Sequence, residues 1–246
     1  MSSFKYAHLA DLHLGSWPDE KMRDLSTRTF LAAIDDCMQR QVDFILFAGD
    51  LFNTSLPSVD TLKIVTKKLK ELKDNNIPLY VIAGSHDFSP SGKTMIDVLE
   101  NAGLLRNVCK GTVNPETQLL HLEFTYDEKT NAKITGILGR KGQLDTTYYQ
   151  NLAREHLEGE QGYKIFMFHT SITELKPKHL EYVESQPFSF LPKGFDYYAG
   201  GHLHHKTIVE IPEYGTLTYP GALFPNNFAE MVKYGHGGYF LITVSG

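Results

Sequence analysis

Five apolar stretches of this chain each stop abruptly at histidine, serine or acidic residues, and this pattern constrains the fold more than any other feature. The stretches have the character of buried strands, and the polar residues that follow them are Asp11, His13, Asp50, Ser85, His86, His169, His202 and His204. In open α/β sheets, ligands bind in the crevice at the carboxyl ends of the strands. The pattern therefore predicts strands whose ends bring these side chains together.

The first hundred residues alternate between strand and helix patterns. Residues 4–10, 43–48 and 78–83 are typical of buried strands. Between them, apolar residues recur at helical spacing over 24–40 and 58–72, with Ser58 placed to cap the second helix. Strand, helix, strand units of this kind predict a parallel sheet.

The second half of the chain is richer in strand patterns. Residues 119–124 and 133–138 are predicted to form hairpin strands, and 164–168 and 195–199 to form buried strands. One helix is predicted over residues 146–157. Because the chain has neither an internal repeat nor a linker, we expect residues 1–246 to form a single domain.

Composition excludes several classes of protein. The formal net charge of −5 argues against a protein that grips nucleic acid over its whole surface. Cys37 and Cys109 lie far from any histidine cluster, which indicates neither a disulfide framework nor a thiolate zinc site. No secretory signal and no long apolar run is evident, so a cytoplasmic protein without a membrane segment is expected.

The donor types at the strand ends predict a metal centre. Carboxylate and imidazole groups without thiolates suit manganese, iron, zinc or nickel better than calcium or magnesium alone. The candidates outnumber the ligands of one ion, so two ions are predicted, with Asp50 as the bridge between them. Any one of the histidines alone is better explained as an ordinary core or surface residue, and the prediction depends on the whole set.

The ordered motifs resemble those of the calcineurin-like metallophosphoesterases: Asp11-Leu12-His13, Gly49-Asp50, Gly84-Ser85-His86-Asp87, a single His169 after a strand, and Gly201-His202-Leu203-His204. Within that superfamily, residues 8–15, 48–52 and 219–223 resemble the nuclease subunit of double-strand-break repair complexes, the meiotic recombination eleven type, and its bacterial counterpart SbcD. The resemblance covers nearly the whole chain. It implies an α/β fold, a four-layer α-β-β-α sandwich of two mixed sheets flanked by helices.

The resemblance also implies an activity and roles for the site residues. The implied enzyme is a manganese-dependent nuclease of DNA double-strand-break repair, an endonuclease on single strands and a 3′ to 5′ exonuclease on duplex ends. It would use two divalent ions, most often Mn²⁺, with iron, zinc, nickel or magnesium as alternatives. One ion would be bound by Asp11, His13, Asp50 and His204, and the other by Asp50, Ser85, His169 and His202.

Two further residues receive roles from the same resemblance. His86 would contact the scissile phosphate and protonate or stabilise the leaving oxygen. Asp87 would either orient the imidazole of His86 or cap the following helix.

The implied partners are DNA, a coiled-coil SMC-like ATPase of the Rad-fifty or SbcC type, and a second copy of the chain. No segment that would dock the ATPase is evident in the sequence, and a cytoplasmic or nucleoid-associated location is expected. Family members dimerise through helices that correspond here to about Leu62–Leu72 and Met95–Leu99. The alternative is that these apolar stripes face the sheet.

Two departures from the repair nucleases keep other functions open. Ser85 replaces the usual asparagine, and Asn53 replaces a histidine that is linked to exonuclease action. A metal-binding scaffold with weakened catalysis is therefore an alternative. A phosphodiesterase for small molecules such as cyclic nucleotides is another, because it shares all five motifs and better suits the net charge of −5. Arg140, Lys141 and Lys93 are candidate DNA contacts, although solvated surface charge explains them more simply.

Overall fold

The structure is a computed structural model that describes residues 3–89, 92–176 and 184–246. The helices are α1 (Glu20–Gln39), α2 (Val59–Asp74), α3 (Met95–Asn101), α4 (Thr146–Gln150), α5 (Glu155–Gly159) and α6 (Phe228–Tyr234). The strands are β1 (Phe4–Leu9), β2 (Phe44–Ala48), β3 (Leu79–Ile82), β4 (Arg106–Asn107), β5 (Gly111–Val113), β6 (Leu120–Leu122), β7 (Thr125–Tyr126), β8 (Lys133–Ile137), β9 (Lys164–His169), β10 (Tyr197–Gly201), β11 (Thr207–Ile211), β12 (Gly215–Tyr219) and β13 (Phe240–Val244). Within these described ranges, no helix has the length and hydropathy that a membrane span requires.

The first sheet has the strand order β13-β1-β2-β3-β4. Strands β1 to β4 run parallel, and β13 pairs with β1 in the antiparallel direction. Alternate residues of β2 face opposite sides, so Phe44 and Leu46 enter the layer between the sheets while Ile45 and Phe47 pack towards the helices. Burial on both faces explains why this strand is a continuous apolar run.

The second sheet has the order β11-β12-β10-β9-β8-β7. Its four central strands are parallel, and β7 and β11 are antiparallel edge strands. Its inner face contributes Met167 and Tyr197 to the layer between the sheets, and its outer face packs against residues such as Tyr149 and Leu157 of α4 and α5. The predicted four-layer α-β-β-α sandwich with two mixed sheets is confirmed.

Side-chain caps determine where the helices begin. Ser58 accepts a hydrogen bond from the Thr61 amide at 3.2 Å and caps α2 as predicted. Helix α1 begins at Glu20, before the predicted residue 24, because Asp19 accepts from the Met22 amide. The apolar stripe of α2 packs against the first sheet, as in the alternative interpretation of that stripe.

One prediction for the middle of the chain is confirmed and another is wrong. The segments 119–124 and 133–138 do form hairpin strands, since β6 pairs with β5 and β8 with β7, both in the antiparallel direction. Strand β8 also pairs with β9 in the parallel direction, which a period-two pattern does not predict, because it identifies a strand without identifying its partners. The single helix predicted over 146–157 is two short helices, α4 and α5. The Leu120 amide donates to the carbonyl of Asn151, and the Leu120 carbonyl accepts from the amide of Ala153, so the backbone between the two helices pairs with Leu120.

Candidate metal centre

The two sheets meet at the carboxyl ends of their central strands. Strands β1, β2 and β3 are neighbours in the first sheet, and β9 and β10 are neighbours in the second. His169 at the end of β9 places Nδ1 2.8 Å from the carbonyl oxygen of Ala48, which ends β2. A Cβ atom on Gly49 would lie 2.3 Å from that Nδ1, so only glycine permits this approach. The sequence-predicted crevice is therefore formed between the sheets.

Three groups of potential metal ligands converge there. In each group the donor atoms lie within 4.8 Å of one another, and the groups are Asp11-His13-His204, His13-Asp50-His86 and Asp11-Asp50-His169. Asp11 and Asp50 each belong to two groups, so their carboxylates lie at the middle of the cluster. Both carboxylates are buried, with 0% and 2% of their surface exposed.

The separations between donor atoms are short throughout the cluster. His13 Nε2 lies 3.2 Å from His204 Nε2 and 3.5 Å from an Asp50 oxygen. His169 Nε2 lies 3.2 Å from the same Asp50 oxygen, and His204 Nε2 lies 3.8 Å from Asp11. The Nε2 atoms of His13 and His169 thus lie within 3.5 Å of one Asp50 oxygen, an arrangement that suits a cation bound by all three side chains.

The backbone at the cluster is held in an uncommon conformation. Asp11, His13, Asp50 and His202 all have positive φ angles, of 51°, 42°, 53° and 86°. Non-glycine residues in this region cost on the order of 1–3 kcal/mol each, and such residues concentrate at functional sites. The strained backbone of the tight turns after β1, β2 and β10 therefore orients their side chains towards the cluster.

The charged groups of the cluster shift one another's pKa values. Burial opposes the charge on His169, but the Asp50 carboxylate raises the pKa of this imidazole to about 10. Burial likewise opposes ionisation of Asp50, but His169 and His13 hold the pKa of its carboxyl well below the usual range. His13 is different, since burial lowers its pKa to about 3 and keeps it neutral.

The cluster fits divalent metal ions. His169 Nε2 is buried, makes no well-directed hydrogen bond and faces the Asp50 carboxylate at 3.2 Å. A metal ion binds neutral imidazole and ionised carboxylate, so it would replace the proton that Asp50 now holds on His169. The donor set contains no sulfur, as expected for manganese, iron, zinc or nickel rather than for a thiolate site.

Ser85 and His202 lie beside this cluster. Ser85 Oγ donates a hydrogen bond to Asp50 at 3.4 Å. The His202 amide donates to both oxygens of Asp11 at 3.0 Å, and its ring centroid lies 5.3 Å from that of His169. Among the described residues, the His202 ring is outside the three ligand groups, so its backbone is the part that contacts the central carboxylates.

His86 is held by a backbone carbonyl. Its Nδ1 lies 2.8 Å from the carbonyl oxygen of Asn53, and its own amide donates to Asp50 at 2.7 Å. Since a carbonyl only accepts, Nδ1 carries a proton and Nε2 remains for another partner. Any residue at position 53 supplies this carbonyl, so the departure at Asn53 leaves the contact intact.

Asp87 does not have either of the roles expected from the sequence. Its carboxylate accepts hydrogen bonds from the backbone amides of Asp50, Phe52 and Gly84, at 3.0, 3.3 and 2.8 Å. It therefore ties the turn after β2 to the turn after β3, rather than orienting His86 or capping a helix. Burial, together with the charge of Asp50, raises the pKa of Asp87 to about 7.

Glu230 is a site residue that the motif analysis missed. Its Oε1 lies 3.0 Å from Nδ1 of His204, and Oε2 accepts from the Asn226 amide at 2.9 Å. Burial opposes both charges, but their contact raises the pKa of His204 and lowers that of Glu230. The spacing Asn227-x-x-Glu230 is a helix-start signature and predicts the cap of α6, but nothing in it indicates a contact with His204.

Two cavities open on either side of the cluster. One, of about 460 Å³, lies between the cluster and α6, and includes His13, His204 and Glu230 in its walls. The other, of about 230 Å³, is bordered by the loop that carries Arg140 and Lys141. Ser85, His86 and His202 line both cavities, which are therefore neighbours.

Comparisons with known proteins agree with this geometry. Residues 4–206 match the model of the calcineurin-like phosphoesterase family. The chain is 28% identical to the DNA double-strand break repair protein Mre11 of Methanococcus maripaludis, an alignment that covers 98% of this chain and 63% of that protein. It is 30% identical to the Mre11 of Methanocaldococcus jannaschii, with the same coverage. An uncharacterized metallophosphoesterase of Bacillus subtilis, YhaO, is 27% identical over 100% of this chain and 58% of its own length.

A solved structure shows the same fold at low sequence identity. A dimetal phosphatase from Danio rerio superimposes with a TM-score of 0.61 at 9% identity, covering 98% of this chain and 93% of the phosphatase. The first curated relatives are longer, and this chain spans between 50% and 63% of their length. The resemblance inferred from the motifs is thus confirmed at the level of the family: the chain belongs to the calcineurin-like phosphoesterases, which are metal-dependent hydrolases.

Proposed function

We propose that this chain is a metal-dependent nuclease that hydrolyses phosphodiester bonds of DNA at a dinuclear centre. The observation that carries the proposal is the pair of buried carboxylates, Asp11 and Asp50, each shared between two groups of potential ligands. Shared carboxylates favour two neighbouring ions over one. The Mre11 relatives, described as DNA double-strand break repair proteins, support DNA as the substrate.

The residues divide into two ligand sets around Asp50. One set consists of Asp11, His13, Asp50 and His204, and the other of Asp50, Ser85, His169 and His202. When bound, the two ions would supply an activated water and neutralise charge that develops on the phosphate. We propose Mn²⁺ as the metal, because buried carboxylate and imidazole donors without sulfur suit it well.

His86 is the proposed acid beside the centre. The Asn53 carbonyl fixes the ring by accepting from Nδ1, so Nε2 is the atom that would meet a phosphate oxygen. A protonated Nε2 donates a hydrogen bond to the leaving oxygen and stabilises its charge. Asp87 contributes indirectly, since it holds the turns that carry Asp50 and His86 together.

The finer features of the proposal come from the motif resemblance, and the description of the relatives as DNA double-strand break repair proteins supports them. We propose endonuclease action on single strands and 3′ to 5′ exonuclease action on duplex ends in double-strand-break repair, with residues 1–246 acting as one nuclease domain. The proposed partners are DNA, a coiled-coil ATPase and a second copy of this chain. A phosphodiesterase for cyclic nucleotides remains the second candidate, favoured by the net charge of −5.

The decisive assay compares substrates and one variant. The Mn²⁺-loaded protein is incubated with a single-stranded oligonucleotide, a linear duplex and cyclic AMP, and products are quantified. We expect cleavage of both DNA substrates, and His86→Ala should lower kcat by roughly 100-fold or more, as loss of a general acid does. His121→Ala, which changes an exposed histidine on β6, is the matched control and should leave the rate unchanged.

Either of two results would contradict the proposal. Hydrolysis of cyclic AMP without cleavage of DNA would favour the small-molecule enzyme. DNA cleavage that persists in His86→Ala at the rate of the parent protein would remove His86 from the mechanism.

A further inference from the structure

The smaller cavity beside the centre is lined by a guanidinium that makes no ion pair within the part of the chain that the structure describes. Arg140 lines this cavity together with His86 and His169. Its guanidinium lies 5.1 Å from the ring centroid of Phe88, in a cation–π contact. Within residues 3–89, 92–176 and 184–246, no carboxylate approaches it within the 4.0 Å of an ion pair.

The loop that carries Arg140 is fixed against the metal centre. The Gly139 amide donates to the carbonyl of Ala83, just past β3, at 2.9 Å. A Cβ atom on Gly139 would lie 2.5 Å from Cδ2 of His169, so the loop backbone packs directly on that imidazole. The buried carboxyl of Asp145 lies near the Arg140 backbone and also lines this cavity.

A fixed guanidinium without a carboxylate partner is suited to a phosphate group. Arginine presents several donors in a planar fork that matches phosphate oxygens. Its stacking on Phe88 restricts the side chain before any ligand binds, which lowers the entropic cost of binding. Lys141 adds a second positive charge at the same cavity, whose lining also includes two acidic residues, Asp145 and the exposed Glu184.

The position of the cavity indicates which phosphate of a substrate would contact Arg140. The cavity shares Ser85, His86 and His202 with the larger cavity, and these residues border the cluster where a scissile phosphate would lie. Arg140 lines only the smaller cavity, whereas His13, Asp50 and His204 line only the larger one. A phosphate at those three ligands would therefore leave the space beside Arg140 to a neighbouring phosphate of the same chain.

We propose that Arg140, with Lys141 beside it, binds a phosphate adjacent to the scissile one in the substrate chain. This inference rests on the proposed function and specifies its substrate class. A polynucleotide has a second phosphate to offer, and a cyclic mononucleotide has none. Arg140 thus positions polynucleotide chains and distinguishes them from single nucleotides.

The test compares two diesters that differ in the second phosphate. The substrates are a fluorescent oligothymidylate and bis(4-nitrophenyl) phosphate, a diester with one phosphate. We measure kcat/KM for the Mn²⁺-loaded full chain and its variants Arg140→Ala, Arg140→Lys and Arg28→Ala. Arg28 is an exposed arginine on α1 and serves as the matched control. Melting temperature and bound manganese establish that each variant is folded and loaded.

The expected result is a selective loss. Arg140→Ala should lower kcat/KM for the oligothymidylate about tenfold more than for bis(4-nitrophenyl) phosphate, the ratio that corresponds to one such contact. Arg140→Lys should retain part of the kcat/KM that Arg140→Ala loses, since lysine keeps the positive charge but lacks the planar donor geometry of the guanidinium. The slope of log kcat/KM against log salt for the oligothymidylate should become shallower by about 0.7 in Arg140→Ala.

The proposal and the proposed function fail in distinguishable ways. Equal losses on both substrates, or no loss on the oligothymidylate, would overturn the phosphate role of Arg140 while leaving the nuclease intact. Hydrolysis of bis(4-nitrophenyl) phosphate by the parent protein without cleavage of the oligothymidylate would overturn the polynucleotide substrate. Failure to hydrolyse either diester would overturn the proposed function and this inference with it.

Discussion

His169 and Asp50 each stabilise the charged form of the other. Because the pKa of His169 rises from 6.5 to about 10 on folding, the folded protein binds this proton more tightly than the unfolded chain. In metal-free protein, the resulting stabilisation is fully present below pH 6.5 and is lost as the pH rises through 10. Asp50 behaves in the opposite sense, since its lowered pKa contributes stability above its normal value of 3.8 that is lost in acid.

Thermal unfolding in EDTA tests this pair. We expect the difference in Tm between the parent protein and His169→Gln to shrink by several degrees between pH 6.5 and pH 10. His121→Gln, at an exposed position, should show a constant difference over the same range. A difference for His169→Gln that does not vary with pH would mean that the Asp50 contact does not control this imidazole.

Ser85 is the proposed ligand with the weakest donor. Its hydroxyl donates to Asp50 at 3.4 Å, and its side chain is one atom shorter than that of the asparagine in related nucleases. We expect Ser85→Asn to tighten binding of the second Mn²⁺ several-fold, measured by calorimetric titration, because an amide oxygen would replace the hydroxyl. Ser189→Asn, at an exposed position, is the control. An unchanged second affinity would show that position 85 is not a ligand.

At the scale of elements, α6 supports the centre from outside the ligand motifs. Asn227 caps this helix by accepting from the Glu230 amide at 2.9 Å, and the Glu230 carboxylate reaches His204. A carboxylate on the distal nitrogen of a ligand histidine fixes the tautomer and the ring orientation. Helix α6 therefore holds His204 in the form that presents Nε2 to the cluster.

Removal of the charge on Glu230 should weaken the metal site. We expect Glu230→Gln to lower Mn²⁺ affinity by roughly tenfold, within the range known for such supporting carboxylates, and Glu230→Ala to lower it further. Glu123→Gln, an exposed glutamate next to β6, is the matched control. Equal Mn²⁺ affinities for the parent protein and Glu230→Ala would show that the contact is only structural.

Strands and helices near the site could be predicted because their patterns are local. The β1, β2, β3, β9 and β10 segments are short apolar runs that end in polar residues, and Ser58 marks the start of α2. The break between α4 and α5 could not be predicted, because it depends on backbone pairing with Leu120, about thirty residues away in sequence. The contact between Glu230 and His204 was missed for the same reason, since it joins two segments through tertiary packing.

At the scale of the whole molecule, the order of the motifs predicted the site better than any local rule. The polar residues that follow the strands could be expected to converge, because parallel strands place their carboxyl ends at one edge of a sheet. The sequence did not predict the left-handed backbone at Asp11, His13, Asp50 and His202, since aspartate and histidine adopt that conformation at only a small fraction of their positions and no local pattern marks which ones. Nor did it predict the role of Asp87, whose three amide partners come from two different turns.

The central claim is that side chains from both sheets form one centre for two metal ions. Anomalous diffraction from crystals soaked in Mn²⁺ measures this directly. We expect two peaks about 3.5–4 Å apart, the spacing of two-metal sites, with Asp50 between them and His13 and His169 on opposite sides. A single peak in the cluster, or manganese bound only elsewhere on the protein, would contradict the dinuclear centre.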